Sequence, residues 1–165
     1  MMPMAGEITL HEASWAHDRL ALESVRRAVF IEEQRVPEHE EWDAMDAPSR
    51  HVLALDANRD AVGTGRLDPT GKIGRVAVLP QYRGRGIGVA IVRRLVGLAE
   101  SIGLQEVHLN AQVEAVGFYE RLGFRPEGPV FDEVGILHRR MRRKIGKVDE
   151  QRSGHGNPEH PVKPG

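Results

Sequence analysis

The spacing of apolar residues changes several times along the chain, and each change marks an element. Residues 7–11 (EITLH) alternate and predict a first strand. Ser14 can cap a helix from Trp15 to about Gln34, in which Leu22, Val25 and Val29 recur at helical spacing beside Phe30. The following RVPEHEEWDAMDAPS is rich in acid, holds two prolines and has no clean period, so it reads as an exposed loop with at most a short helical turn. Residues 51–57 and 61–67 predict strands joined in a hairpin across Asn58-Arg59-Asp60. Asp68-Pro69-Thr70-Gly71 is a type I turn leading into a third strand, 72–79, because Pro suits its second position and Gly its fourth. From Ile87 the period lengthens: Ile91, Leu95, Leu98 and Ile102 continue one stripe, Ala90, Val92, Val96 and Ala99 widen it, and Gly103 stops it. A stripe so wide predicts a helix lying flat on a sheet. A strand at 105–110, a helix from about Glu114 to Leu122 closed by Gly123, and strands at 124–131 and 134–142 complete the pattern. The long helix makes a β–α–β crossover, which requires strands 72–79 and 105–110 to run parallel. The predicted fold is mixed α/β, with a central mixed sheet of about six or seven strands flanked by helices.

Composition narrows this picture. A chain of 165 residues suits one domain, over residues 1–145. The tail 146–165 has two valines as its only large apolar residues and many breakers, which predicts disorder. The formal net charge of −1 gives no global pull toward nucleic acid. Cysteine is absent, excluding a disulfide scaffold, a thiol nucleophile and thiolate metal sites, and fitting a reducing cytoplasm. No run is long enough to span a membrane, and MMPMAGEITL lacks the basic and apolar regions of a signal peptide. The eight histidines form no HxH or HxxxH pair, so no metal is expected. The basic run His138 to Lys144 lies on a predicted strand, where alternate side chains face opposite ways, so it reads as a charged edge and not as a nucleic-acid surface.

Candidate chemistry concentrates in residues 76–92, VAVLPQYRGRGIGVAIV. A β-branched strand stops at Pro80, glycines follow at 84, 86 and 88, and a helix opens at once. Its free N–H groups and positive dipole end face the loop, where glycine lets the backbone approach a ligand closely. This is an anion cradle, and Arg83 and Arg85 add charge of the right sign. It is no Walker loop, since no Gly-Lys-Ser/Thr follows, and it fails the dinucleotide pattern GxGxxG, whose third glycine would be Val89. An RGRG sequence also occurs in RNA-binding tails, but those are not embedded between a strand and an amphipathic helix.

Gln81-x-x-Gly84-x-Gly86, followed by Ile87-Gly88, resembles the pyrophosphate-binding motif of the GNAT N-acetyltransferase superfamily. A second stretch, Gln112-Val-Glu-Ala-Val-Gly-Phe-Tyr119-Glu-Arg-Leu-Gly-Phe124, resembles the closing motif of that family, with Gln112 where its asparagine stands unless Asn110 takes that part. The predicted order of elements from about 7 to 143 is similar to the family fold. The segments Phe30-x-x-Glu33-Gln34 and Glu133-Val-Gly135-Ile136-Leu-His138-x-x-Met141 look like its ElaA-type branch. The resemblance implies acetyl-CoA as cofactor, with the backbone of Val76, Ala77 and Val78 pairing its pantetheine arm. Gln81, Arg83, Gly84, Arg85, Gly86, Ile87 and Gly88 would hold its pyrophosphate. It also implies Tyr119 as the acid that meets the departing thiolate.

An amine attacks a thioester only when neutral, and deprotonating a lysine-like nitrogen of pKa about 10.4 at pH 7 costs roughly 4–5 kcal/mol. A carboxylate or imidazole therefore has work to do. Glu33 and His138 are the first candidates, with Glu41, Asp43, Asp46, His51, Arg66 and Glu133 on the substrate side. The acid-rich loop favours a cationic acceptor, a small amine or a lysine-type side chain. The rival reading is a catalytically silent module that binds CoA or another nucleotide as a sensor. Oligomeric state, a homodimer included, is not fixed by the sequence.

Overall fold

The structure is a computed structural model and describes residues 7–146. The expectations for the N-terminus before residue 7 and for the tail after 146 lie outside the described residues. β1 (Thr9–Ala13), β2 (Arg50–Leu55), β3 (Ala61–Leu67) and β4 (Ile73–Val78) form an antiparallel sheet in that order. β5 (Glu106–Gln112), β6 (Arg125–Glu133) and β7 (Ile136–Lys144) form a second antiparallel sheet, ordered β5, β7, β6. The expected parallel contact between β4 and β5 is confined to one bridge, Lys72 opposite His108, where the His108 amide donates to Gly71 O at 3.1 Å. The strands part beyond it, so the predicted central sheet is two sheets meeting at an apex.

α3 (Ile87–Ser101) covers one face of the junction, with Ile91, Val92 and Leu95 fully buried, each worth about 1.5–3 kcal/mol of burial. Its close approach needs glycine beneath it. A Cβ on Gly63 would stand 2.9 Å from Ile91 Cδ1, and one on Gly65 2.8 Å from Leu95 Cδ1. The stripe ends earlier than its spacing implied, since Ile102 is 43% exposed. Gly103 does stop the helix, at φ +85°.

α1 (Trp15–Arg26) covers the other face of the first sheet, and Ser14 Oγ accepts from the His17 amide as expected of a cap. The helix does not continue as α to Gln34. Residues Arg27–Glu33 are a π-helical segment, in which the Gln34 amide donates to Val29 O at 3.0 Å. The wider turn keeps Val25 and Val29 packed on Ala77 while Glu33 and Gln34 swing toward the ends of β4 and β5.

The acidic stretch, expected to be exposed, is the largest correction. It holds α2 (Glu38–Glu41), and Glu41 and Asp46 are buried at 3% and 1% exposure. Carboxylates are buried there because three arginines meet them. Arg26, fully buried between Trp15 and Trp42, donates from Nε to Glu41 at 2.8 Å and from Nη1 to Asp46 at 2.7 Å. Arg66 Nη1 donates to Asp43 and Asp46 at 2.8 Å each, and Arg75 reaches Glu41 and Asp43 at 3.1 Å each. Three positive and three negative groups close on themselves, which satisfies the requirement that buried charge be paired and hydrogen-bonded.

Candidate active site

The parting of β4 from β5 leaves two cavities, one on each side of the wedge. The first, of about 470 Å³, is bounded by Val76, Ala77 and Val78 of β4, by Gly84, Gly86, Ile87 and Gly88, and by Phe118 and Tyr119. Pro80 ends the strand and begins a turn of 3-10 helix, Pro80–Tyr82, that leads into the glycines. Gly84 and Gly86 both adopt left-handed backbone, at φ +80° and +82°, which any other residue takes only at a cost. Gly86 is the N-cap of α3 and has no side chain to satisfy the first-turn amides, so these are presented to whatever enters the loop. The loop fits a pyrophosphate: open backbone donors, a helix N-terminus, and open space where a Cβ would stand at Gly84 and Gly86.

The side chains predicted beside it behave differently. Arg83 donates from Nη1 and Nη2 to the Glu33 carboxylate at 2.9 and 2.7 Å, and from Nε to Val78 O at 2.8 Å. That grip holds the Glu33 carboxyl below the usual glutamate range. Gln81 and Arg85 border neither cavity, and Arg85 lies over the Tyr82 ring at 5.1 Å.

The second cavity, of about 540 Å³, lies between the acidic stretch and the β6–β7 hairpin. Glu41, Asp43, Glu133 and His138 border it, as expected of acceptor-side groups. Asn110 and Gln112, which the family resemblance assigns to cofactor binding, line this cavity and not the first, because their side chains on β5 reach Glu133 of the hairpin and Gln34. Glu33, Asp46, His51 and Arg66 do not border it. Asp46 and Arg66 belong to the buried charge network, and His51 stacks on Trp15 at 5.7 Å with Nε2 on Asp46 O, its pKa lowered by burial. Burial also opposes ionisation of Asp43 and Asp46, but the arginines outweigh it and keep both below the usual aspartate range. Glu41 goes the other way, because burial raises it more than Arg75 and Arg26 lower it. Arginines match Glu38, Glu41, Asp43 and Asp46 of the loop, while Glu40 has only His39 Nε2 at 3.7 Å, so the pull on an incoming cation is weaker than the number of acids implies.

Tyr119 borders both cavities. α4 (Val116–Arg121) carries it, wedged edge-on between Phe118 at 4.9 Å and Phe124 at 5.8 Å. Burial pushes its hydroxyl up to about 12. His138 is 8% exposed and stacks on Phe131 at 6.0 Å. Its Nδ1 lies 2.8 Å from Ile136 O, so Nδ1 carries a proton there, and Nε2 is the ring nitrogen with no hydrogen bond among the described residues. β4 is irregular at this point: Thr64 pairs with Ala77 and Arg66 with Gly74, so Arg75 and Val76 together face Gly65. Arg75 takes φ +52° there, which turns its guanidinium onto the acidic stretch.

A family model described as the acetyltransferase (GNAT) domain matches residues 16–145. The chain belongs to that family. Among its GNAT relatives, the protein ElaA of Escherichia coli is 32% identical over 146 residues, covering 82% of this chain and 94% of that one. The uncharacterised N-acetyltransferase YjcF of Bacillus subtilis is 38% identical over 121 residues, 71% of this chain and 86% of that one. Of solved structures, the crystal structure of E. coli ElaA superimposes with TM-score 0.74 at 28% identity, covering 82% of this chain and 99% of that one. An acyl-CoA N-acyltransferase from Pseudomonas aeruginosa does so with TM-score 0.74 at 29% identity, covering 83% and 99%. The resemblance to the ElaA branch is thus shown in sequence and in fold.

Sequence reasoning missed several residues that line these GNAT cavities. Gln34 borders both and accepts from Gln112 Nε2 at 2.9 Å, and its place beside Glu33 in the branch motif was an available signal. Lys72 and Gly74 border the second cavity, and no local pattern sets them apart from other strand residues.

Proposed function

We propose that this protein is an acetyl-CoA-dependent N-acetyltransferase that acetylates a small primary amine by direct attack in a ternary complex. The observation that carries this reading is Tyr119, the aromatic hydroxyl common to a glycine-lined anion cavity and a polar cavity that holds an imidazole with a free nitrogen. Acetyl-CoA supplies the electrophile, a thioester carbon. The amides opening α3 and the loop at Gly84 and Gly86 hold the pyrophosphate, and the strand edge at Val76 to Val78 orients the arm between it and the thioester.

His138 Nε2 takes a proton from the acceptor ammonium, directly or through one water, and so frees the nucleophilic lone pair. The new N–C bond forms as the C–S bond breaks, and the Tyr119 hydroxyl gives its proton to the departing sulfur. The second proton of the nitrogen, shed as the amide forms, returns through water to the Tyr119 oxygen, so that the net products are amide, CoA thiol and the proton held by His138. A hydroxyl with its pKa near 12 stays protonated at neutral pH, as a proton donor must. Glu33 suits the role of base less well than His138, because its carboxylate is held by two hydrogen bonds from Arg83.

The test is an amine panel that follows release of free CoA thiol. Tyr119→Phe is expected to lower kcat by about a hundredfold or more while leaving acetyl-CoA affinity unchanged. If the native protein binds acetyl-CoA but turns over no amine, the sensor reading replaces this one.

A further inference from the structure

The second cavity extends well past the corner where Tyr119 and His138 stand. Its floor follows β4 and β5 back toward their apex. Since Lys72 bridges His108 in parallel register, Gly74 comes level with Asn110 one step further on. A Cβ built on Gly74 meets nothing within 4 Å, so the floor is open at that point. From Val76 to Lys72 there are about 13 Å of strand, of which an extended lysine side chain can span roughly half.

Three charged groups lining this groove join no arginine–carboxylate or lysine–carboxylate pair among the described residues: Glu40, which has His39 Nε2 at 3.7 Å, Glu133, and Lys72, the one cation of the three. The Glu133 carboxylate has only a long contact, 3.5 Å, from Asn110 Nδ2, and joins no ion pair among the described residues. The Lys72 ammonium likewise joins no ion pair there, whereas Arg75, the lining arginine, is bound to Glu41 and Asp43.

The geometry points to a dipolar acceptor, a small primary amine whose nitrogen is drawn to Glu133 and whose far end carries a carboxylate or phosphate that pairs with Lys72. The inference rests on the N-acetyltransferase reading and gives its substrate class. A diamine would set a second ammonium against Lys72. An alkylamine with no charge besides its ammonium would leave Lys72 without a partner in a partly desolvated groove, and it gains nothing from the open floor at Gly74.

The deciding experiment titrates the full chain, saturated with CoA, by calorimetry with four amines: δ-aminovalerate, aminopropyl phosphate, cadaverine and n-pentylamine. The same amines are assayed for turnover with acetyl-CoA. One or both anionic amines are expected to bind about tenfold more tightly than the other two, and the better of them tells carboxylate from phosphate. Lys72→Glu is expected to reverse the order in favour of cadaverine without changing CoA affinity. Circular dichroism and CoA binding confirm that the variant is folded, and Lys72→Gln, expected to flatten the order, serves if it is not. Equal binding of all four, binding of none, tighter binding of cadaverine by the native chain, or an order that survives loss of Lys72 overturns the inference. Turnover without any order among the amines defeats the anion subsite alone. The expected order of binding without turnover defeats the acetyltransferase reading alone.

Discussion

The two cavities that meet at Tyr119 are built from different materials. The cofactor-side cavity is made largely of backbone: a strand edge, left-handed glycines and a helix start, all within residues 76–88. The acceptor-side cavity is made of side chains gathered from the acidic stretch, β4, β5 and the β6–β7 hairpin, and its wall stands on a closed network of six buried or half-buried charges. A backbone site is insensitive to most substitutions and recognises a constant ligand. A side-chain site changes with every residue that lines it, which is how one fold takes different acceptors.

The contrast can be broken most forcefully from behind the acceptor wall. Arg26→Met should strand Glu41 and Asp46 without their buried partner and cost about 3–5 kcal/mol of stability in denaturant unfolding. Acetyl-CoA affinity of the protein still folded should stay near its native value, and a comparable loss of that affinity would show the two sides to be coupled. Gly86→Val attacks the other side. Forcing a β-branched residue to φ +82° should cost about 1–2 kcal/mol and weaken acetyl-CoA binding, with little effect on amine binding.

Acid provides a gentler probe of the network. Asp43 and Asp46 have folded pKa values below the unfolded one, so their stabilisation is complete above the ordinary aspartate value of 3.8 and is lost as pH falls through the folded values. Glu41 has the opposite sign, since its folded pKa is raised and its contribution is lost as pH rises through that value. The melting midpoint should therefore fall on acidification below about pH 4, and a flat profile there would count against charged Asp43 and Asp46 in the folded state. The smallest effect is expected at Glu33→Gln. Its ion pair with Arg83 is about 40% exposed on both sides, so stability should change by less than about 1 kcal/mol. Freed Arg83 should tighten acetyl-CoA binding modestly, and turnover should persist, whereas a collapse of kcat would restore Glu33 as the base.

How far the sequence was readable follows the same division. Gly103 and Gly123 mark helix ends by local chemistry, and the Gly84 to Gly88 loop announces itself within five residues. The π-helical segment was hidden because seven residues are too few to separate its period from that of an α-helix. Burial of the acidic stretch was hidden because Arg26 finds Glu41 and Asp46 fifteen and twenty residues away. A run of acid with no periodicity reads as solvated unless the distant guanidinium groups are known to converge on it. Lys72 acquires meaning only from the cavity it borders.

Among the described residues the two sheets touch in parallel only at residues 72 and 108, like the legs of a pair of compasses at their pivot. A single opening angle at that pivot sets the breadth of both binding spaces at once. A change in volume near the pivot should therefore alter donor and acceptor selectivity together, while one far out along either leg adjusts a single side. Evolution of new acceptors within this scaffold has its freest hand at the hairpin and the acidic stretch, where reshaping leaves the pivot untouched.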